Sequence, residues 1–287
     1  MFGILNLFKP SGITSRDAVT AVSRVLGERQ IGHAGTLDPL AEGVLLLAVG
    51  KATRLVPFMQ DLPKRYVAKF QIGITSTTQD IQGTCQDVPW QPFDRADLER
   101  VAGEFVGNIW QTPPVFSAVR INGRRAYKFG LKGRSVEIAP RQIQVDSIRI
   151  LDCTPPYWTM EVVCGKGTYV RTLGHDIGIR LGSAATLTAL LRASIGRFVD
   201  TDTQTIEMLK QTSSSEVLLN PVCLFEDWTR IDLTPLQLDD LTYARPPTLA
   251  GESDKAIAVD SNGRLCAVLQ RNGGGPFRFL VNFQGRG

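Results

Sequence analysis

The chain has 287 residues, of which 43% are hydrophobic and 21% charged, and its formal net charge is +4. This composition is typical of a folded globular protein and excludes disordered and fibrous proteins. The longest apolar run, residues 44–49, is far shorter than the about 20 residues that cross a bilayer, so we expect no membrane segment.

The first part of the chain predicts a helix and a buried strand joined by a loop. The apolar residues 1–8 lack the flanking pattern of a secretory signal, so we do not expect one. Thr14 and Asp17 form a capping-box pattern that predicts an amphipathic helix through Leu26. Residues 32–43 are polar and rich in glycine, which predicts a loop, and the apolar residues 44–49 predict a buried strand.

The middle of the chain alternates between strand and helix patterns. Residues 66–74 predict a strand, and residues 94–105 predict a helix with Asp94 as its N-cap. Residues 143–151 and 158–164 are rich in strand-forming residues. We expect a helix over 170–181, stopped by Gly182, and a second helix over 184–192.

The last part of the chain changes character. Residues 212–215 look like a linker, and short strands and turns prevail after about residue 231. We therefore expect a catalytic domain over 1–230 and a small β-rich domain over 231–287.

The excess positive charge is confined to residues 115–144, which hold seven basic residues and one acid. The rest of the chain has 25 basic and 27 acidic residues. Aromatic residues lie between the basic ones, a composition that suits RNA phosphates and bases. A solvated surface hairpin explains the charge equally well. The residues of interest are Phe116, Arg120, Arg124, Arg125, Tyr127, Lys128 and Phe129.

Familiar enzyme motifs are missing from the sequence. There is no GxSxG, HExxH or GxGxxG motif, and the segment from Gly43 to Lys51 has the wrong spacing for a phosphate-binding loop. Five cysteines without a CxxC pair and two histidines disfavour a disulfide framework and a metal site. We therefore expect no metal, no cofactor and a reducing, cytoplasmic compartment.

Asp38 lies in the glycine-rich loop Gly32-His33-Ala34-Gly35-Thr36-Leu37-Asp38-Pro39. A carboxylate on such a loop can act as a nucleophile, a general base or a metal ligand. An aspartate before proline can also simply cap local backbone N–H groups. The residues alone do not decide between these roles.

The run GHAGTLDPLAEGVLLLAVGKATRL resembles the central motif of TruB-type tRNA pseudouridine synthases. Four further blocks in the expected order extend the resemblance over about 190 residues: 3–19, 64–83, 111–133 and 164–192. Leu40-Ala41 and the full-length basic segment resemble bacterial members rather than the guide-RNA-dependent relatives. The resemblance implies a mixed, mainly antiparallel α/β (α+β) sheet flanked by helices, with a small PUA-like C-terminal domain.

The resemblance also implies roles for single residues. Asp38 falls on the catalytic aspartate, Arg171 on the arginine paired with it, and Tyr66 on the tyrosine that stacks against uracil. We expect all three to be catalytic, with the Tyr66 hydroxyl or water as the candidate that relays the C5 proton. His33, Asp80, Tyr169 and Leu190 fall on residues that contact RNA or surround the uracil. Periodicity alone favours core packing for Tyr66, Tyr169 and Leu190. We expect RNA backbone contacts from Arg120, Arg124, Arg125 and Lys128.

The implied function is conversion of uridine 55 in the TΨC loop of tRNA to pseudouridine. The expected partner is the T stem-loop, without a guide RNA, and we expect a monomer. The reaction breaks the C1′–N1 bond and joins C1′ to C5, so it needs no redox cofactor. A flipped base needs aromatic and apolar side chains to replace its stacking, and a fixed arginine can keep a nearby carboxylate ionised. The alternatives are an inactive RNA chaperone of the same fold and, more weakly, a nucleotide hydrolase.

Overall fold

The computed structural model describes residues 1–117, 119–121, 124–125, 138–212, 214–248 and 253–285. Within these residues the body is a nine-stranded sheet, and a four-stranded sheet follows it. The strands of the body are β1 (Phe2–Lys9), β2 (Ile31–His33), β3 (Glu42–Gly50), β4 (Lys64–Ile72), β7 (Gly107–Gln111), β10 (Arg141–Thr154), β11 (Tyr157–Cys164), β12 (Ala185–Ile195) and β13 (Phe198–Val199).

Two hairpins lie outside the large sheet, and the second sheet is built late in the chain. The hairpins are β5 (Ile74–Ser76) with β6 (Cys85–Asp87), and β8 (Arg120–Ile121) with β9 (Arg124–Arg125). The second sheet contains β14 (Thr229–Asp232), β15 (Lys255–Val259), β16 (Leu265–Gln270) and β17 (Arg278–Asn282). The helices are α1 (Ser15–Leu26), α2 (Val56–Asp61), α3 (Arg95–Gly103), α4 (Val170–Arg180), α5 (Ile206–Leu209), α6 (Ser214–Val217) and α7 (Pro235–Thr242). Short 3-10 helices span Lys51–Leu55, Asp200–Asp202 and Pro221–Leu224.

The large sheet runs in the order β1-β3-β12-β4-β11-β10-β7, with β2 added to β3 and β13 added to β12. β3 and β12 are parallel, and the other neighbours are antiparallel. The prediction of a mixed, mainly antiparallel sheet flanked by helices is therefore confirmed. β14 crosses the predicted domain boundary at residue 230, and the PUA-like character of the second sheet stays a prediction.

β3 is buried on both faces, which explains its unbroken apolar sequence. Leu45 and Leu47 face α1, where they pack with Ala18 and Val22. The intervening Leu46 faces the opposite side, in a cluster with residues of the C-terminal sheet. A strand covered on both faces cannot alternate apolar and polar residues.

α3 and α4 cover the other half of the sheet. Leu98 of α3 and Leu173 of α4 pack in one cluster with Phe70 and Trp158. The two rings stack with centroids 5.4 Å apart. This packing holds the start of α4 against the strands that surround the candidate site.

Several predicted elements are confirmed in detail. Thr14 and Asp17 form the capping box of α1, and Gly27 ends that helix in the left-handed conformation with φ +65°. Asp94 caps α3, although the helix ends at Gly103 rather than at residue 105. The strand predicted over 66–74 divides at Gly73, whose φ is +83°.

The predicted helix over 184–192 is wrong, because these residues form most of β12. β12 pairs with β4 along most of its length and with β3 at Leu191 and Arg192. Its alanines and leucines suit a helix, but pairing at the centre of a sheet overrides such local preferences.

Residues on either side of the segment predicted as a linker pack against the body. α5 precedes the segment and α6 begins within it, and Leu209 and Val217 lie in the core cluster that includes α1. Leu219 forms a β-bridge with Ile4 of β1. Among the described residues, no helix is both long and apolar enough to span a bilayer.

Candidate active site

Asp38 lies on the loop between β2 and β3, and hydrogen bonds hold the backbone on both sides of it. Ser15 Oγ, at the start of α1, donates to Leu37 O at 3.0 Å and accepts from Leu37 N at 2.8 Å. Ala41 N donates to Asp38 O at 3.0 Å. The carboxylate therefore projects from a loop of fixed shape.

Arg192 of β12 holds the same loop from the side of the sheet. Its guanidinium donates to Val44 O at 2.7 Å, to Gly35 O at 3.1 Å and to Thr36 O at 3.4 Å. The residue is 1% exposed. These bonds tie the beginning of the loop to the strand that follows it, because both ends contact one side chain.

Arg171, in the first turn of α4, pairs with carboxylates from two distant parts of the chain. Its Nε lies 3.5 Å from Asp38 Oδ2, and its Nη1 lies 3.3 Å from Asp80 Oδ2. Arg171 also donates to Thr78 O at 3.3 Å and to Phe116 O. Asp80 and the two carbonyls fix the guanidinium, so its position does not depend on Asp38.

The Asp38 carboxylate has a different environment from that of Asp80. The Asp38 side chain is 35% exposed to solvent, compared with 4% for the Asp80 side chain. No described residue donates a hydrogen bond to the Asp38 side chain, so its lone pairs face the adjacent cavity. Loss of water at this position raises the pKa of Asp38, and the Arg171 charge opposes the rise without cancelling it. Arg171 therefore acts in the expected direction, but the net shift of the Asp38 pKa is upward.

A cavity of about 520 Å³ opens beside Asp38. Tyr66, Tyr169 and Leu190, the residues that the family resemblance implies for a uracil pocket, line it together with Arg171. Tyr66 and Leu190 are 9% and 8% exposed. An apolar and aromatic wall next to a carboxylate suits a flat, polar-edged ligand.

Tyr169 is fixed at the start of α4 by the side chain of Gln111. Gln111 accepts from Tyr169 N at 2.8 Å and donates to Tyr169 O at 3.1 Å. The Arg141 guanidinium lies 5.1 Å from the centre of the Tyr169 ring, within range of a cation–π contact. The ring is therefore held by its backbone and from one face.

Burial raises the pKa of Tyr66 above its ordinary value of 10.0. The neighbouring Arg192 partly opposes this rise. The phenol therefore keeps its proton at neutral pH, which makes Tyr66 a better stacking surface than a base.

The cavity wall is strongly cationic. It contains five basic side chains and one carboxylate, Asp38; the basic residues are Lys64, Arg141, Lys166, Arg171 and Arg192. Burial and the nearby Arg192 lower the pKa of Lys64 to about 8. Such a wall favours an anionic ligand. Among the described residues, no group of three or more His, Cys, Asp or Glu side chains could hold a metal ion.

Other predicted site residues lie outside this cavity wall. Asp80 is behind Arg171, and His33 ends β2 without lining the cavity. Arg120, Arg124 and Arg125 lie on the β8–β9 hairpin. Lys128 lies outside the described residues.

Sequence reasoning missed three buried polar residues near Asp38. Arg192 was missed because its segment was predicted as a helix. A single charge in the otherwise uncharged run ATLTALLRASI is a sequence signal that could have found it. Lys9 donates to Pro10 O at 2.8 Å and to Ile13 O at 2.7 Å, and burial lowers its pKa to about 8. Ser117, at 5% exposure, lines the cavity and had no sequence signal of its own.

Comparison with known proteins identifies the family of this chain. The family model "TruB family pseudouridylate synthase (N terminal domain)" matches residues 23–170. A tRNA pseudouridine synthase B of Microcystis aeruginosa is 38% identical over 91% of this chain and 90% of its own. The protein of that name from Lacticaseibacillus paracasei is 38% identical over 94% of both chains.

Solved structures show the same fold at lower sequence identity. An H/ACA RNP bound to a substrate RNA containing 2′-deoxyuridine matches with a TM-score of 0.71 and 22% identity, over 98% of this chain and 85% of that chain. An archaeal box H/ACA sRNP Nop10–Cbf5 complex matches with a TM-score of 0.69 and 23% identity, over 98% of this chain and 86% of that chain. The family model and the relatives show that the chain belongs to the TruB family of pseudouridylate synthases, which are isomerases.

Proposed function

We propose that this protein isomerises uridine 55 in the TΨC loop of tRNA to pseudouridine, with Asp38 as the catalytic carboxylate. The main support is the Asp38 side chain, which faces the cavity, accepts no hydrogen bond from a described residue and lies 3.5 Å from Arg171. The naming of the relatives as tRNA pseudouridine synthase B supports tRNA as the substrate. The cationic wall suits a polyanionic RNA.

The reaction conserves every atom of the nucleotide. The C1′–N1 bond breaks, the uracil turns, C1′ joins C5, and the C5 proton leaves while N1 gains one. Asp38 either attacks C1′ or removes the C2′ proton, and both roles need an ionised carboxylate. Arg171 stabilises that ionised form, since it stays charged at every relevant pH.

Three side chains would hold the extruded base. Tyr66, Tyr169 and Leu190 replace the stacking that uracil loses when it leaves the RNA loop. His33 and Asp80 would contribute from outside the cavity, Asp80 by holding Arg171 in place. If stacking is the whole role of Tyr66, Tyr66→Phe keeps the wild-type rate and Tyr66→Leu loses it.

The decisive measurement is tritium release from unmodified tRNA that carries 5-tritiated uridine. We expect stoichiometric release by the wild type and none when uridine 55 is replaced by cytidine. Asp38→Asn should bind tRNA but lose several orders of magnitude in rate, whereas Asp87→Asn, an exposed carboxylate on β6, should match the wild type. No release by the wild type in a single turnover would leave an RNA-binding protein without this activity.

The basic segment 115–144 would contact RNA phosphates. Neutralising Arg124, Arg125 and Lys128 should flatten the dependence of affinity on salt by roughly one unit per lost contact. Three exposed arginines of the C-terminal domain, at positions 245, 264 and 278, supply a matched control triple. If only the control triple flattened the slope, RNA would bind the C-terminal domain instead.

We also propose that the enzyme acts as a cytoplasmic monomer on the T stem-loop, without a guide RNA. All five cysteines are unpaired, which suits a reducing compartment. Activity of the purified chain on a synthetic T stem-loop would support both the substrate and the independence from other RNAs.

A further inference from the structure

Unpaired polar atoms are concentrated at the cavity. Three buried side-chain atoms of cavity residues lack a hydrogen-bond partner in the described part of the chain: Ser117 Oγ, Arg141 Nε and Arg171 Nε. A buried polar atom without a partner is rare and destabilising. Their concentration in one wall indicates a ligand that supplies the missing partners.

Two of these atoms already have a defined charged or aromatic neighbour. Arg171 Nε faces Asp38 at 3.5 Å. The Arg141 guanidinium lies over the Tyr169 ring and donates through Nη2 to Gly167 O. Ser117 Oγ is the third atom, and no described residue forms a hydrogen bond with it.

The backbone around Ser117 is anchored to the catalytic arginine. Phe116 O accepts a hydrogen bond from Arg171 Nη2, and Ser117 N donates to Val115 O at 2.9 Å. Nε of the same guanidinium faces Asp38. Ser117 and Asp38 are therefore positioned by one side chain and line one cavity.

We propose that Ser117 Oγ hydrogen-bonds a polar atom of the target nucleoside, either on the uracil edge or at the ribose 2′-hydroxyl. This inference rests on the proposed function. A hydroxyl both donates and accepts, so it can pair with a carbonyl oxygen, an N–H or another hydroxyl. A site built to pair with a substrate group also rejects ligands that lack it.

Ser117→Ala should have opposite effects on stability and activity. The free protein loses no hydrogen bond and is relieved of a buried unpaired hydroxyl, so the Tm should stay constant or rise. The complex with RNA loses a bond, so kcat/KM should fall about 10- to 100-fold. A purely structural serine would instead lower the Tm.

Ser183 provides the matched control. It is 8% exposed, and its hydroxyl donates to Pro89 O at 2.7 Å, away from the cavity wall. Ser183→Ala should lower the Tm and leave kcat/KM unchanged. Ser117→Thr, which keeps a hydroxyl at position 117, should recover most of the activity lost in Ser117→Ala.

Binding measurements identify the partner atom. In an Asp38→Asn background, the Kd for a T stem-loop is measured with and without Ser117→Ala, using uridine or 2′-deoxyuridine at the target position. A loss of affinity seen with both RNAs assigns the bond to the uracil, and a loss seen with uridine alone assigns it to the 2′-hydroxyl.

If Ser117→Ala kept the kcat/KM and the Kd of the wild type, the inference would be wrong and the proposed function would be unaffected. A wild-type protein that releases no tritium would overturn the proposed function, and the Kd comparison would then decide the role of Ser117 by itself.

Discussion

The role proposed for Asp38 conflicts with the electrostatics of its position. To act on the sugar as proposed, its carboxylate must be ionised, yet burial favours the protonated form and raises its pKa. Arg171 limits this rise, and Asp80 holds Arg171 on its far side. A reactive group left short of hydrogen bonds makes the folded state less stable than it could be.

The first prediction concerns stability. Because the folded pKa of Asp38 lies above the ordinary value of 3.8, its charge destabilises the fold fully at neutral pH. This penalty shrinks as the pH falls through the pKa that Asp38 has in the folded protein, and it disappears below the pKa that Asp38 has in the unfolded chain. Asp38→Asn should therefore raise the Tm at pH 7 to 8, and the gain should fade toward pH 4.

Asp17 is the control for this measurement, because its pKa is shifted in the opposite direction. Hydrogen bonds from Thr14 lower the pKa of Asp17, so its charge stabilises the fold at neutral pH and that contribution is lost in acid. Asp17→Asn should lower the Tm at pH 7. A lower Tm for Asp38→Asn at that pH would contradict the account of Asp38.

The second prediction concerns Arg192, which positions the Asp38 loop. Arg192→Lys keeps the charge but cannot reach Gly35 O, Thr36 O and Val44 O together. We expect kcat to fall at least 10-fold with little change in KM, and a loss of about 3 kcal/mol in the free energy of unfolding.

Arg149 is the control for Arg192. Its ion pair with Glu161 leaves the arginine side chain 69% exposed, and its removal should cost under about 1 kcal/mol without affecting kcat. If Arg192→Lys lowered stability and left kcat unchanged, Arg192 would be a structural residue only.

At the scale of elements, α4 delivers Arg171 only because it lies very close to β4. A Cβ on Gly174 would come within 2.0 Å of the Phe70 ring, and a Cβ on Gly178 within 2.5 Å of Ala185 Cβ. Both glycines face the sheet, so the helix backbone rests directly on the strands. The position of Arg171 in the cavity depends on this close contact.

The third prediction tests that contact. Gly174→Ala should destabilise the protein by about 1–3 kcal/mol and should reduce kcat, because α4 must move away from the sheet. In contrast, a Cβ on Gly103, at the end of α3, would meet no atom within 4 Å. Gly103→Ala should therefore stabilise the protein by up to about 1 kcal/mol. Equal effects of the two substitutions on the Tm would contradict the proposed packing.

At the scale of the whole molecule, the two sheets share one apolar cluster. Ile4 and Leu46 of the body pack in the cluster that contains Val268 and Val281 of the second sheet. The rings of Phe2 and Phe283 meet with centroids 4.9 Å apart. The second sheet therefore covers one face of β1 and β3 rather than hanging from a linker.

The fourth prediction follows from this shared core. Thermal unfolding should show a single transition, and Phe283→Ala should lower its midpoint by removing a side chain that is 8% exposed, at a cost of about 3 kcal/mol. Leu236→Ala, at a 74% exposed site on α7, should leave the midpoint unchanged. Two separate transitions, of which Phe283→Ala shifts only one, would contradict a shared core.

Local signals in the sequence determined much of the fold. The capping residues Thr14 and Asp94, the unbroken apolar run of β3 and the stop at Gly182 each act through neighbours in the chain, so the pattern itself carries the information. The glycine-rich loop around Asp38 could be singled out for the same reason, and the family motif named its carboxylate.

Only the tertiary structure decided features that depend on residues far apart in the chain. The run of β12 is apolar enough for a helix, and it becomes a strand because β3 and β4 offer hydrogen bonds on both sides. Asp38, Asp80 and Arg171 meet only after the sheet and α4 assemble. The raised pKa of Asp38 has the same origin, since desolvation depends on everything that packs around a group and not on its neighbours in sequence.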